Sequence, residues 1–377
     1  MSTGSLRVLH IIWWNQIGGI AFNLVDLIEH IDQERYKISL CILAKGELNL
    51  SGVLTRPVDI TEFGFSSGAD LVGLWRFLRY LRTQEFAIVH NHTRTFLVSA
   101  AIMLGRKRIG RIFQEHGALL QSMAGRMRTF YRCFGSVYDG FIAVAHSLVP
   151  QMTAAGLPEK KIAVIENPID ADKFNGESPR GEAKQRLALP VNSLAVGTAC
   201  RLVQEKDIDL FLLVARHLHT ARKDIHFIVA GTGPLEVPLQ KAAHACGLDG
   251  AVHFIGARTD MPMIYRAIDI FLFTSLVESF GRTLLEAQAC CTPVVAALPL
   301  SGGAIELIQC SPGVVSIPNR RPEDLARCIL GLLKSKVERE RIGTMGRDWV
   351  VARFDVRDWV KKVQCLYDDV VRLHKHE

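Results

Sequence analysis

The chain has 377 residues, 49% of them hydrophobic and 22% charged, with nine cysteines and a formal net charge of +7. That composition excludes a disordered, collagen-like or small disulfide-stapled chain and suits two compact domains. The longest uncharged run, between Glu286 and Glu306, is broken by Pro293, Pro299 and Gly302-Gly303, so no membrane span is expected.

Short apolar runs alternate with helical patterns from the start, as in parallel sheets covered by helices. Arg7–Ile12 reads as a strand, followed by Gly18-Gly19 and a helix through Leu24, Leu27 and Ile28. Strands are expected at 37–43, 87–90, 111–114, 140–144 and 161–165. Leu74, Phe77, Leu78 and Leu81 predict an amphipathic helix with Arg76, Arg79 and Arg82 across its other side. The polar segment 173–190 reads as a linker between domains at 1–172 and 191–355. The second half restarts the pattern, with strands at 194–198, 225–230, 252–255, 269–273 and 293–296. A last helix, near 356–373, carries Trp359, Val363, Leu366, Val370 and Leu373 at core spacing. Two doubly wound α/β halves imply a cleft between them, a common place for a substrate.

Charge and cysteine usage narrow the setting. Between Arg76 and Arg132 stand eleven basic and two acidic residues, which is +9, leaving −2 for the rest. The bland reading is a solvated helix face. The sharper one joins Arg76, Arg79 and Arg82 to Arg106, Lys107 and Arg108 as a contact for an anionic membrane surface. No aromatic-rich RNA motif or zinc spacing accompanies the charge, which argues against nucleic acid. An odd cysteine count without a C-x-x-C pair points to reduced thiols and a cytoplasmic enzyme. The N-terminal apolar run meets Asn15 and Gln16 without a small-residue cleavage site, so no secretory signal is expected.

Chemistry concentrates at strand ends. Glu278-Ser279-Phe280-Gly281-Arg282-Thr283-Leu284-Leu285-Glu286 follows a strand and opens a helix, whose first N–H groups can hold a diphosphate. Its two glutamates are placed to grip hydroxyls on either side of a phosphate, although taken alone they suit a cap and a surface charge equally well. Arg201 and Lys206, after another strand, can clamp the same phosphates with charge-assisted bonds. Gly231-Thr232-Gly233 lacks the third glycine of a dinucleotide fingerprint. His90 and His92 have the spacing of metal ligands but no third ligand nearby in sequence; His116 at a strand end is better placed for a substrate. Asp170-x-Asp172 and Asp207-x-Asp209 read as caps rather than as a cation site.

Taken in order, these stretches closely resemble the retaining glycosyltransferases of family 4, over nearly the whole chain. The Arg201…Lys206 pair with the E-x7-E of Glu278 and Glu286 is the specific part. Ile88–His92, Glu115-His116-Gly117, Val164–Asp170, Gly231–Pro234, Thr292–Ala296 and Gly302–Glu306 add to it. The resemblance implies the GT-B fold, two Rossmann-like domains facing each other across a cleft, with the last helix returning to the first domain. It implies that Arg201, Lys206, Thr283, Leu284 and the backbone of Gly19 hold a donor diphosphate. Glu278, Ser279, Phe280 and Gly281 would orient the transferred hexose, Glu286 would bind ribose, and Gly256, Ala257 and Arg258 would lie near the base. His116 would act beside Glu278 at the reacting sugar. No cofactor and no metal is implied; the partners are a nucleotide-sugar donor and a glycan or lipid-linked acceptor. Ala145 and Pro168 depart from the family's common serine and glycine. The alternatives are a sugar-nucleotide epimerase or phosphorylase on the same scaffold, and a non-catalytic sugar-nucleotide binder.

Overall fold

A computed structural model describes residues 5–14, 18–44, 53–117, 124–175 and 177–375. The chain divides into two compact units: Met1–Pro168 with Val356–Glu377, and Ile169–Asp355.

The first unit is a seven-stranded sheet. Its strands are β1 (Leu6–Trp14), β2 (Tyr36–Ala44), β3 (Asp59–Glu62), β4 (Ile88–Asn91), β5 (Gly110–Glu115), β6 (Gly140–Ala143) and β7 (Ile162–Val164). They lie in the order β3-β2-β1-β4-β5-β6-β7, all parallel. Parallel strands need helical crossovers, and α1 (Gly19–His30), α2 (Leu71–Thr83), α3 (Phe96–Leu104), α4 (Ala124–Phe134) and α5 (Leu148–Ala154) supply them. The second unit repeats the plan with six parallel strands: β8 (Leu194–Ala199), β9 (Ile225–Ala230), β10 (Val252–Gly256), β11 (Ile270–Phe273), β12 (Val294–Ala297) and β13 (Val314–Ile317). Their order is β10-β9-β8-β11-β12-β13. Its helices are α6 (Arg180–Arg186), α7 (Ile208–Ala221), α8 (Glu236–Ala245), α9 (Met261–Ala267), α10 (Arg282–Ala289), α11 (Ala304–Cys310), α12 (Pro322–Lys334) and α13 (Lys336–Arg353).

These orders place the sites. Strand order reverses at β1/β4 in one unit and at β8/β11 in the other, and ligands of open α/β sheets bind beyond the carboxyl ends of strands at such switch points. The segments leaving those strands carry His92 and Arg94 in the first unit, and Arg201, Lys206 and Glu278 in the second.

α14 (Val356–Lys375) belongs to the first unit and buries Val356, Trp359, Val360, Val363, Tyr367 and Val370 against the sheet. Each such side chain contributes roughly 1.5–3 kcal/mol when taken from water. Leu373, expected inside, is 58% exposed, and Tyr367, outside the expected set, is fully buried.

The expected linker at 173–190 is a second correction. The units divide after Pro168, and the segment carries α6, whose Arg180 and Lys184 are satisfied inside the second unit. Arg180 donates to the carbonyls of Ile268 (2.5 Å) and Cys291 (2.9 Å), and Lys184 pairs with Asp269 at 2.7 Å with both side chains under a tenth exposed. Composition alone cannot distinguish such buried pairs from a solvated linker. Edge strands β3 and β13 were also missed; Asp-Ile-Thr-Glu in β3 is too polar to stand out from a loop.

Candidate functional site

In the second unit, the loop after β11 is fastened before it meets any ligand. Glu278 N–H donates to the Ser301 carbonyl (2.9 Å) and Ser301 N–H to Leu276 (2.8 Å), so the Gly302-Gly303 turn and the Glu278 loop form one layer. Gly281 then turns into α10 with φ +88°, and a Cβ there would come within 2.9 Å of Leu284, so the position favours glycine twice over. No side chain among the described residues caps α10. Its Leu284 N–H, however, is taken by the Gly281 carbonyl at 2.9 Å, so Leu284 is a poorer phosphate contact than the resemblance implies. The Thr283 N–H forms no backbone bond among the described residues and remains an anion donor.

Lys206 and Glu278 form a half-buried ion pair, 14% and 21% exposed. Lys206 is held from behind, where Thr274 donates to its carbonyl at 2.9 Å, and Arg320 pairs with neighbouring Asp207 at 2.8 Å. Asp207, in the left-handed region at φ 47°, caps α7 through the Leu210 N–H, and Asp170 accepts from the N–H groups of Asp172 and Lys173. Both Asp-x-Asp motifs contain a cap. Arg201 is exposed and makes no ion pair among the described residues. The loop carrying it is braced by Gly231 and Gly233, where a Cβ would fall 1.9 Å from the Cys200 carbonyl and 2.4 Å from that of Leu202. That glycine turn thus serves backbone packing. Its Gly231 N–H also bonds the Gly256 carbonyl (2.7 Å), beside exposed Ala257 and half-buried Arg258, the latter paired with Asp260.

Glu286 is 6% exposed and is held at both oxygens: Tyr265 donates to Oε2 at 2.8 Å and Arg282 to Oε1 at 2.9 Å. Burial and the adjacent Glu286 carboxylate push the Tyr265 hydroxyl far up, so it stays a donor. Phe280 packs edge-on to Phe354, leaving half-buried Ser279 beside it. Removing the Tyr265 hydroxyl frees one lone pair and the carboxylate's orientation. Tyr265→Phe should weaken nucleotide binding by about 1–2 kcal/mol, a fivefold to thirtyfold rise in Kd by calorimetry.

The first unit presents a different group. Glu115 is fully buried and takes bonds from Arg94 (Nε, 2.9 Å), the Gly117 N–H (2.8 Å) and the Tyr131 hydroxyl (2.7 Å). Arg94 thereby lies against Gly117, beside His116. His116 Nε2 bonds His92 Nδ1 at 2.8 Å, and His92 Nε2 bonds His10 Nδ1 at 2.9 Å. Loss of water around the ring, then the Arg94 cation, lowers the His116 pKa to about 3. The sequence-level pair of His90 and His92 thus gains His10, with ring nitrogens within 4.8 Å of one another. The His90 and His92 rings stack at 4.3 Å, His92 bonds His10, and His90 Nδ1 is held by the Tyr367 hydroxyl (2.9 Å), an arrangement unlike three ligands converging on one ion. Gly18 and Gly19 start α1 with no atom of the described residues within 4 Å of an added Cβ, so packing against those residues does not require glycine there.

Two family comparisons agree with this division. Residues 17–173 match Glycosyltransferase Family 4, and residues 179–349 match Glycosyl transferases group 1. The chain belongs to the family 4 glycosyltransferases. Among relatives, it is 26% identical over 243 residues to a GDP-mannose-dependent alpha-(1-6)-phosphatidylinositol monomannoside mannosyltransferase of Mycobacterium tuberculosis, covering 62% of each chain. It is 38% identical over 138 residues to a lipopolysaccharide core biosynthesis mannosyltransferase of Rhizobium meliloti, 35% of this chain and 39% of that one. The match thus spans less than two thirds of either relative. Among solved structures, Anabaena HepE in complex with UDP-glucose superposes with a TM-score of 0.83 at 20% identity, over 97% of this chain and 100% of that one. WaaG, a glycosyltransferase involved in lipopolysaccharide biosynthesis, gives 0.76 at 13%, over 96% and 99%. The fold is GT-B.

Within this glycosyltransferase-family frame, the sequence reading missed the residues that hold the others. Tyr265, Arg282 and Arg320 brace the second unit's site; Arg94, His10 and Tyr367 brace the first's. Only Arg282 carries a sequence signal, its i,i+4 spacing to Glu286.

Proposed function

We propose that this chain transfers a hexosyl group from a nucleotide-diphosphate sugar to an acceptor hydroxyl with retention at the anomeric carbon and without a metal. The observation that carries it is the Lys206–Glu278 ion pair beside the uncapped start of α10, with Glu286 locked behind it. Lys206 and Arg201 neutralise the diphosphate as the C1–O bond breaks and its electron pair passes to phosphate oxygen. Such aid strengthens as charge develops. Glu278 exchanges Lys206 for hydroxyls of the sugar, and Glu286 takes the ribose. The acceptor oxygen bonds C1 on the departing face, and its proton goes to the leaving phosphate. His116 serves the acceptor as a neutral hydrogen-bonding group, since a histidine with so low a pKa is a weak base at pH 7. Incubation with a panel of nucleotide sugars and lipid-linked glycans, followed by proton NMR of the anomeric centre, tests this. Retained configuration is expected; inversion, or interconversion of the donor without acceptor, would refute it.

The acceptor is a lipid-linked or membrane-bound glycan in this reading. α2 exposes Leu71 (69%), Val72 (70%) and Trp75 (60%) together with Arg76, Arg79 and Arg82, while Arg106, Lys107 and Arg108 follow α3. No helix among the described residues is long and apolar enough to cross a membrane, so contact would be with the surface. Each arginine near anionic lipid is worth about 1 kcal/mol. The chain should sediment with vesicles containing phosphatidylserine and be released by salt. Replacing Arg76, Arg79 and Arg82 with Gln should abolish most of that binding; sedimentation indifferent to lipid charge would exclude this surface.

A further inference from the structure

The first unit contains a hydrogen-bonded chain that neither the family match nor the proposed reaction assigns. It begins at Tyr367 on α14, whose hydroxyl bonds both His90 Nδ1 (2.9 Å) and His10 Nε2 (3.0 Å). His10, on β1, continues through Nδ1 to His92 Nε2 beyond β4, and His92 Nδ1 reaches His116 Nε2 beyond β5. His10 and His90 sit opposite each other in the β1–β4 register, which explains why the rings meet. Three hydrogen bonds therefore join a buried tyrosine on the C-terminal helix to a histidine at the acceptor side.

A neutral imidazole has one N–H and one bare nitrogen, so each bond between two rings needs a donor facing an acceptor. Within such a chain the protons must all point the same way. Choosing the tautomer of His10 thus chooses that of His92 and then of His116. The Tyr367 hydroxyl has a single proton, which it gives to one of its two histidines while accepting from the other. The chain therefore holds one collective choice instead of three independent ones. Charge does not disturb it near neutrality. Burial lowers His10 to about 3 and holds His90 and His92 well below the ordinary histidine range. The other groups facing these rings are Arg94, which Glu115 and its partner Tyr131 hold beside His116, Gln114 beside His90, and Tyr36 against Tyr367.

We propose that His10, His92 and Tyr367 are positioning residues that fix which ring nitrogen of His116 carries its proton, and so whether His116 offers the acceptor a donor or an accepting nitrogen. The proposal rests on the reading of His116 as an acceptor-side group. An imidazole in water would sample both tautomers and titrate near 6.5; this one stays neutral and changes tautomer only together with His10 and His92.

The test uses the full chain labelled with 15N-histidine, and it needs no turnover. In the parent, His116 should show a single neutral tautomer without titration from pH 5.5 to 8. Tyr367→Phe, which keeps the buried ring, should give a mixture of tautomers. His92→Ala, which admits water, should let His116 titrate toward pH 6.5. Titration of His116 in the parent, or identical His116 spectra in parent and Tyr367→Phe, would overturn the proposal. Where transfer is measured, Tyr367→Phe should lower kcat about tenfold to a hundredfold with donor KM within twofold of the parent. An unchanged kcat would remove the positioning role. If the parent transfers no sugar at all, the proposed function fails while the tautomer measurement still decides whether the chain exists.

Discussion

Lys206→Ala should reduce kcat/KM for the nucleotide-sugar donor by about 10²–10³-fold while leaving the thermal midpoint nearly unchanged. Removing one preorganised donor to developing charge costs about 2.7–4 kcal/mol of transition-state stabilisation in comparable sites. Lys206 is the cation best fixed for this, because its backbone is anchored by Thr274 and its neighbour Asp207 by Arg320. Arg201, exposed and without an ion pair among the described residues, should contribute less. The fold should tolerate the change. Glu278 is about a fifth exposed and can exchange the lost ammonium for water. The diagnostic comparison is diphosphate against monophosphate: the parent should prefer the nucleoside diphosphate, and Lys206→Ala should lose most of that preference. Glu286→Ala should instead weaken mono- and diphosphate alike, since its proposed partner is the ribose. A variant at either position that binds the donor as tightly as the parent would remove that residue from the site.

Acid should destabilise the first unit steeply below pH 6.5. His10 and His90 are at most 1% exposed and their pKa values are lowered, His10 to about 3. In the unfolded chain both return to about 6.5. Below that pH the unfolded state binds protons that the folded state refuses, so stability is full above about 6.5 and is lost progressively as pH falls toward 3. For His10 alone the loss between pH 7.5 and 5 is about 2 kcal/mol, and His90, shifted in the same direction, adds to it. Urea midpoints followed by a probe in the first unit should fall over this range. Replacing His90 with Gln should flatten the dependence. A midpoint independent of pH from 7.5 to 5 would mean that these rings are not buried neutral.

What the sequence made legible follows from how locally each feature is encoded. Periodicity within ten to twenty residues is local, and it located α1, α2, α10 and α14 together with eleven of the strands. Glu278 and Glu286 were visible because one strand-to-helix turn carries both. The residues that orient them were not. Tyr265 reaches Glu286 from α9, and Tyr367 reaches His10 across 357 positions. Such partners are chosen by sheet order, which no local window contains. The segment 173–190 failed for the related reason that a buried Lys184–Asp269 pair has the composition of a solvated loop. Leu373 failed because apolar periodicity continues past the point where α14 still has a sheet beneath it.

The central claim is that the second unit binds a nucleotide diphosphate through Lys206, Glu286 and the start of α10. It is tested most directly by thermal shift against UDP, GDP, ADP, TDP and CMP without added metal. At about a hundred times its dissociation constant, the matching diphosphate should stabilise the fold by roughly 2.7 kcal/mol. The shift should appear with one base and vanish in Lys206→Ala and Glu286→Ala. No shift with any of the five, or a shift that survives both substitutions, would contradict the assignment.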